Sequence, residues 1–77
     1  MKIHLNPFDY DEKDDCLVSE AHVDDVYFAV VVDLHGERIG ICPFKSGNSI
    51  EEIMDTLGPY ADDLIGYVAE LFGWEAA

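Results

Sequence analysis

The stretch VYFAVVVDLHGERIGICPF, residues 26–44, decides the fold. Residues 26–34 are rich in β-branched and aromatic side chains, and residues 38–44 alternate behind them, which is the pattern of two paired strands. His35 and Gly36 lie between the runs. As the two loop residues of a type I′ turn both need positive φ, which Gly accepts freely and His tolerates better than most. That turn pairs Leu34 with Glu37, Asp33 with Arg38, Val32 with Ile39 and Val30 with Ile41. It gathers Val26, Phe28, Val30, Val32, Ile39 and Ile41 on one apolar face and sets Asp33 and Arg38 as an ion pair on the other. The second face holds Tyr27, Ala29, Val31, Gly40, Cys42 and Phe44, which are not a solvated set. They either pack under the first strand and the N-terminal loop, the commoner outcome, or form a half-exposed contact patch.

Downstream, Pro43 closes the second strand and Lys45, Ser46, Gly47 and Asn48 make a loop. Ser49 followed by Glu52 is a capping-box signature, and Ile50, Ile53, Met54 and Leu57 behind it form one apolar helical face. Gly58 and Pro59 end this helix, placed at 49–57. A second helix fits residues 60–72, with Tyr60, Leu64, Val68, Leu71 and Phe72 inward, before Gly73 and a frayed tail at 74–77. Upstream, residues 2–5 suit a short strand that Asn6 and Pro7 break. DYDEKDD at 9–15 reads as an exposed acidic loop, and residues 16–23 as a less regular strand. The expected fold is α+β in a single domain, residues 1–77: a three- or four-stranded antiparallel sheet followed by two helices packed on one face.

Charge is the other decisive feature. Seventeen Asp and Glu stand against four Lys and Arg, a formal net charge of −13, yet 49% of residues are hydrophobic, enough for a core rather than a disordered acidic tail. Like charges crowded on a small body oppose compaction, so the field calls for a use. Glu51, Glu52, Asp62 and Asp63 sit in first helical turns, where the helix dipole favours them. Asp9, Asp11, Glu12, Asp14, Asp15, Asp24 and Asp25 have no such explanation and could form one ridge if the first loop folds against the start of the hairpin. With Tyr27 as an aromatic anchor beside them, they are the candidate partner-binding residues. The bland alternative is a well-solvated or halophile-like acidic surface.

Other chemistries fit less well. Asp9, Asp11 and Glu20 match positions one, three and twelve of a calcium loop, but Lys13 and Asp14 stand where that loop wants an oxygen donor and a glycine. His4, His22, His35, Cys16 and Cys42 have no common zinc spacing. No nucleophile setting or phosphate-cradling loop is visible, so neither enzyme activity nor a cofactor is expected. Two free, partly buried thiols, no apolar leader and no membrane-length run suit a cytoplasmic protein.

By size, charge and compactness the whole chain resembles the small phage-encoded or mobile-element inhibitors that mimic DNA, among them acidic anti-CRISPR and anti-restriction proteins. The resemblance lies in composition and carries over no individual residue. It implies non-enzymatic occupation of a basic DNA-binding groove on a protein or nucleoprotein effector, such as a CRISPR effector, with no direct binding of nucleic acid or membrane. Two other readings are an immunity or antitoxin-type protein that neutralises a basic nuclease, and an accessory domain, homodimeric in some forms, that associates through the apolar sheet face.

Overall fold

The computed structural model describes residues 2–44 and 46–74. Five strands, β1 (His4–Leu5), β2 (Asp9–Asp11), β3 (Cys16–Val23), β4 (Val26–Asp33) and β5 (Arg38–Cys42), precede two helices, α1 (Ile50–Leu57) and α2 (Tyr60–Leu71). The sheet is antiparallel in the order β1-β3-β4-β5, with β2 also pairing β3. The α+β architecture is as the sequence indicates, with a fifth strand added.

The β4–β5 register matches the expected one, with Val30 opposite Ile41, Val32 opposite Ile39 and Asp33 opposite Arg38. The turn does not. Its reversal spans residues 34–37, and the left-handed residue is Glu37 at φ 51, while Gly36 lies outside that region. Asp33 accounts for the difference. Its Oδ1 accepts the backbone N–H of His35 at 3.0 Å and of Gly36 at 3.2 Å, which ties the wider loop. With Asp33 so engaged, the expected ion pair with Arg38 does not form; among the described residues the one ion pair joins His35 to Asp15.

Residues 9–15 are not simply a loop. Asp9, Tyr10 and Asp11 pair with Val18, Leu17 and Cys16, so a hairpin replaces the expected coil. β1 lies along the same side of β3, pairing His4 with His22 and Leu5 with Ala21. From Leu5 to Asp9 is four steps while β3 takes three from Ala21 to Val18, so the edge run carries one extra residue, a bulge at Asn6 and Pro7. Fully buried Ser19 serves this bulge by donating its hydroxyl to the Asn6 carbonyl at 2.7 Å.

One face of the sheet takes both helices. Val23, Phe28, Val30, Val32, Ile53, Leu57 and Val68 are almost wholly enclosed, with Ile3, Leu5, Phe8, Ile39 and Ile41 packed around them. The helices bury less than their apolar patterns suggest. Ile50 and Met54 of α1 and Tyr60 and Leu71 of α2 are more than two-fifths exposed, because each short helix presents only a narrow stripe to the sheet, centred on Ile53 and Leu57, and on Ala61, Leu64 and Val68. α1 begins with the capping box, and α2 ends in a Schellman turn: Gly73 at φ 73, its N–H on the Glu70 carbonyl and that of Trp74 on Ala69. Trp74 stacks on Phe72 and packs against the core, so it is not frayed; residues 75–77, like Lys45, lie outside the described residues. No described helix is long and apolar enough to cross a membrane.

Candidate interaction face

Strand alternation sorts the acidic residues. Leu17, Ser19, Ala21 and Val23 of β3 stand opposite Val32, Val30, Phe28 and Val26, and so share the helix-covered face. Cys16, Val18, Glu20 and His22 therefore point to the other face, as do Tyr27, Ala29 and Val31 of β4 and Gly40 and Cys42 of β5. Asp11 is paired with Cys16 and Asp9 with Val18, which puts both carboxylates on this outer face. Asp11 and Asp9 stand about 6.7 Å apart along β2, two residues of strand, and Glu20 lies diagonally beyond Asp9 on the neighbouring β3, about 7–8 Å away.

Each end of the file meets an acidic turn. The β2–β3 turn carries Glu12, Asp14 and Asp15, and the two-residue β3–β4 turn is Asp24 and Asp25, with Asp24 at φ 52. Asp15 and Asp24 flank β3 at opposite ends, roughly 25–30 Å apart at about 3.3 Å per residue. The ridge expected from the first loop folding against the hairpin start is thus not a local cluster. It is a line that needs Glu20, which is not among the candidate partner-binding residues that the sequence offers. Glu20 lines two shallow depressions of this face, one with Asn6, Pro7, Asp9 and Val18, the other with Tyr27, Phe44 and the loop at 46–48.

The face is otherwise small and apolar. Ala29 is buried, Val18, Val31 and Gly40 are half-buried, and Cys42 is exposed. The expected covering of these residues by the first strand does not occur, because β1 joins the edge of the sheet rather than lying across it. Tyr27 is 51% exposed at the corner, its N–H held by Asn48 Oδ1 at 3.0 Å. Beside it His22 and His4 continue an aromatic row, with ring centroids 5.0 Å and 4.7 Å apart.

Asp15 differs from its neighbours. It accepts the Tyr10 hydroxyl and contacts the His35 ring, which clamps the β2–β3 turn to the β4–β5 turn. Those two hydrogen bonds, with Tyr10 the larger influence, hold its carboxyl below the usual range, and the same bond raises Tyr10. Cys16 is buried and Cys42 exposed, so the thiols are unalike rather than both partly buried. Burial first, and the charges of Asp11, Asp14, Asp33 and Asp15 after it, push the Cys16 thiol up. Among the described residues no three His, Cys, Asp or Glu side chains are grouped so as to hold a metal ion. Compared with protein-family models, with curated proteins and with solved structures, the chain shows no significant match.

Proposed function

We propose that this chain is a non-enzymatic acidic inhibitor that sets the outer face of its sheet against a positively charged nucleic-acid-binding groove of a protein or nucleoprotein effector, and so blocks DNA. The observation that carries the reading is the carboxylate file. Asp11 and Asp9 are about 6.7 Å apart along β2 and Glu20 lies diagonally beyond them on β3, about 7–8 Å from Asp9, so the carboxylates follow one another at roughly twice the 3.4 Å axial rise between phosphates of one DNA strand, and an acidic turn lies at either end. A groove built to hold phosphates at that rise offers cations to every second position, and the half-buried apolar strip beside the file supplies contact area that DNA itself lacks.

The test immobilises the protein and passes a bacterial lysate over it. Captured proteins should be nucleic-acid binders that are released by short duplex DNA and by a rise from low to physiological salt. Asp9→Lys with Glu20→Lys should abolish capture, whereas Glu51→Lys with Asp55→Lys, on the helix side, should leave it. Capture that withstands both salt and duplex DNA would favour the accessory-domain reading instead, for which the half-buried strip of Val18, Val31 and Gly40 with exposed Cys42 speaks.

A further inference from the structure

On the other side of the molecule, where α2 passes the β1 edge, lies a groove of about 300 Å³ lined by Ile3, Leu5, Tyr60, Asp63, Leu64 and Tyr67. Residues 60, 63, 64 and 67 are spaced i, i+3, i+4 and i+7, so they share one face of the helix. Tyr60 and Tyr67 are 45% and 54% exposed, and they stand about 10 Å apart along the axis with Asp63 between them. Asp63 has no ion-pair or hydrogen-bond partner among the described residues. The groove thus offers two aromatic rims, an aliphatic floor and one carboxylate that takes no cation among the described residues.

We infer that this groove receives an arginine side chain presented by a partner protein. A guanidinium is planar, stacks on tyrosine rings and bonds a carboxylate through two parallel N–H groups, while its three-carbon stem suits the Ile3, Leu5 and Leu64 surface. Lysine offers a point charge without the stacking plane. A second copy of this chain is disfavoured as occupant, since each copy carries −13 and would bring more carboxylate to Asp63. The groove is distinct from the carboxylate face, and its occupancy does not rest on the DNA-mimic reading.

The experiment follows backbone amide resonances of the 15N-labelled protein during titration with the peptide acetyl-Gly-Arg-Gly-amide, and with the same peptide carrying citrulline or lysine. The arginine peptide should shift the amides of Leu5, Tyr60, Asp63, Leu64 and Tyr67. Citrulline, which keeps the shape and loses the charge, should bind about tenfold or more weakly, as should Asp63→Asn. Lysine should perturb the carboxylate face as arginine does but the groove less, and Tyr67→Ala should remove the arginine preference. Groove amides that do not respond to arginine, or respond equally to citrulline or lysine, overturn the inference. The comparison of peptides on the unaltered protein decides it without any variant. Responses at Asp9 and Glu20 report on the other face separately.

Discussion

Glu37 holds a left-handed backbone at φ 51, a conformation that costs a residue with a Cβ about 1–2 kcal/mol and that glycine takes freely. The glycine of this turn stands one position earlier, in an ordinary region. Both the two-residue and the four-residue loop leave Asp33 opposite Arg38, so alternation along residues 26–44 specifies the register without specifying the turn. What selects the wider loop is one carboxylate oxygen accepting two backbone N–H groups, a contact between neighbours that hydrophobic pattern does not encode. A Cβ on Gly36 would meet Asp33 Oδ2 at 2.9 Å and Arg38 Nε at 3.1 Å; Arg38 can swing aside, but the Asp33 carboxylate that ties the loop has to shift. Gly36→Ala should therefore lower the melting temperature only slightly. Glu37→Val should lower it further, since β-branching crowds the left-handed backbone beyond the strain that Glu37 already bears, and a domain of this size loses about 4–8 °C per kcal/mol. The reverse ranking in a thermal melt followed by circular dichroism would move the reversal back to residues 35 and 36.

Among the elements, α1 was legible because its signal is local. Ser49 Oγ accepts the Glu52 N–H at 3.2 Å, and Glu52 Oε1 accepts the Ser49 N–H at 3.2 Å, the reciprocal pair that the S-x-x-E spacing announces. β2 was not legible, because two of its three residues are Asp, which strands disfavour, and it is held by its ladder to β3. β3 itself reads weakly, since two of its inward residues, Ser19 and Ala21, are small. Without that alternation Glu20 cannot be assigned a face, and the carboxylate file stays hidden until the strands are paired. The capping box also has a pH signature. Hydrogen bonds from the Ser49 backbone first, then the Asn48 and Ser49 side chains, hold the Glu52 carboxyl below its ordinary value. A carboxyl depressed by folding contributes stability above its unfolded pKa and loses it as pH falls through the folded one. The melting-temperature difference between the parent and Glu52→Gln should thus be largest above about pH 5 and shrink progressively below about pH 4, the range where an unfolded Glu titrates. Taking the difference cancels the titration of the other carboxylates. A gap that is constant from pH 7 to pH 3 would mean that the charge of Glu52 does not matter to the cap.

At the scale of the whole molecule, the acids do two opposed things. Seventeen of them on 77 residues repel one another and weaken the compact state, and under the proposed function the same field would draw in a cationic partner. The fold relieves little of this repulsion. Among the described residues no Lys or Arg pairs with a carboxylate, Asp15 contacts the His35 ring, and Asp9 and Glu20 on the outer face take no cation. Net charge was legible from composition, but its arrangement depended on strand pairing and a bulge, which are properties of the assembled sheet. Salt acts on both consequences with opposite sign. At about 0.1 M the screening length is about 10 Å, shorter than the separation between the two acidic turns but longer than one step of the carboxylate file. Raising potassium chloride from about 0.01 M, where the length is about 30 Å, to about 0.5 M should therefore raise the melting temperature of the isolated protein while weakening capture of its partner. The gain in stability should be smaller in Asp9→Lys with Glu20→Lys, because that variant has less self-repulsion to screen. A fall in both quantities would trace lost capture to unfolding. A melting temperature indifferent to salt would show the carboxylates to be already compensated, and a compensated surface has no field with which to imitate a nucleic acid.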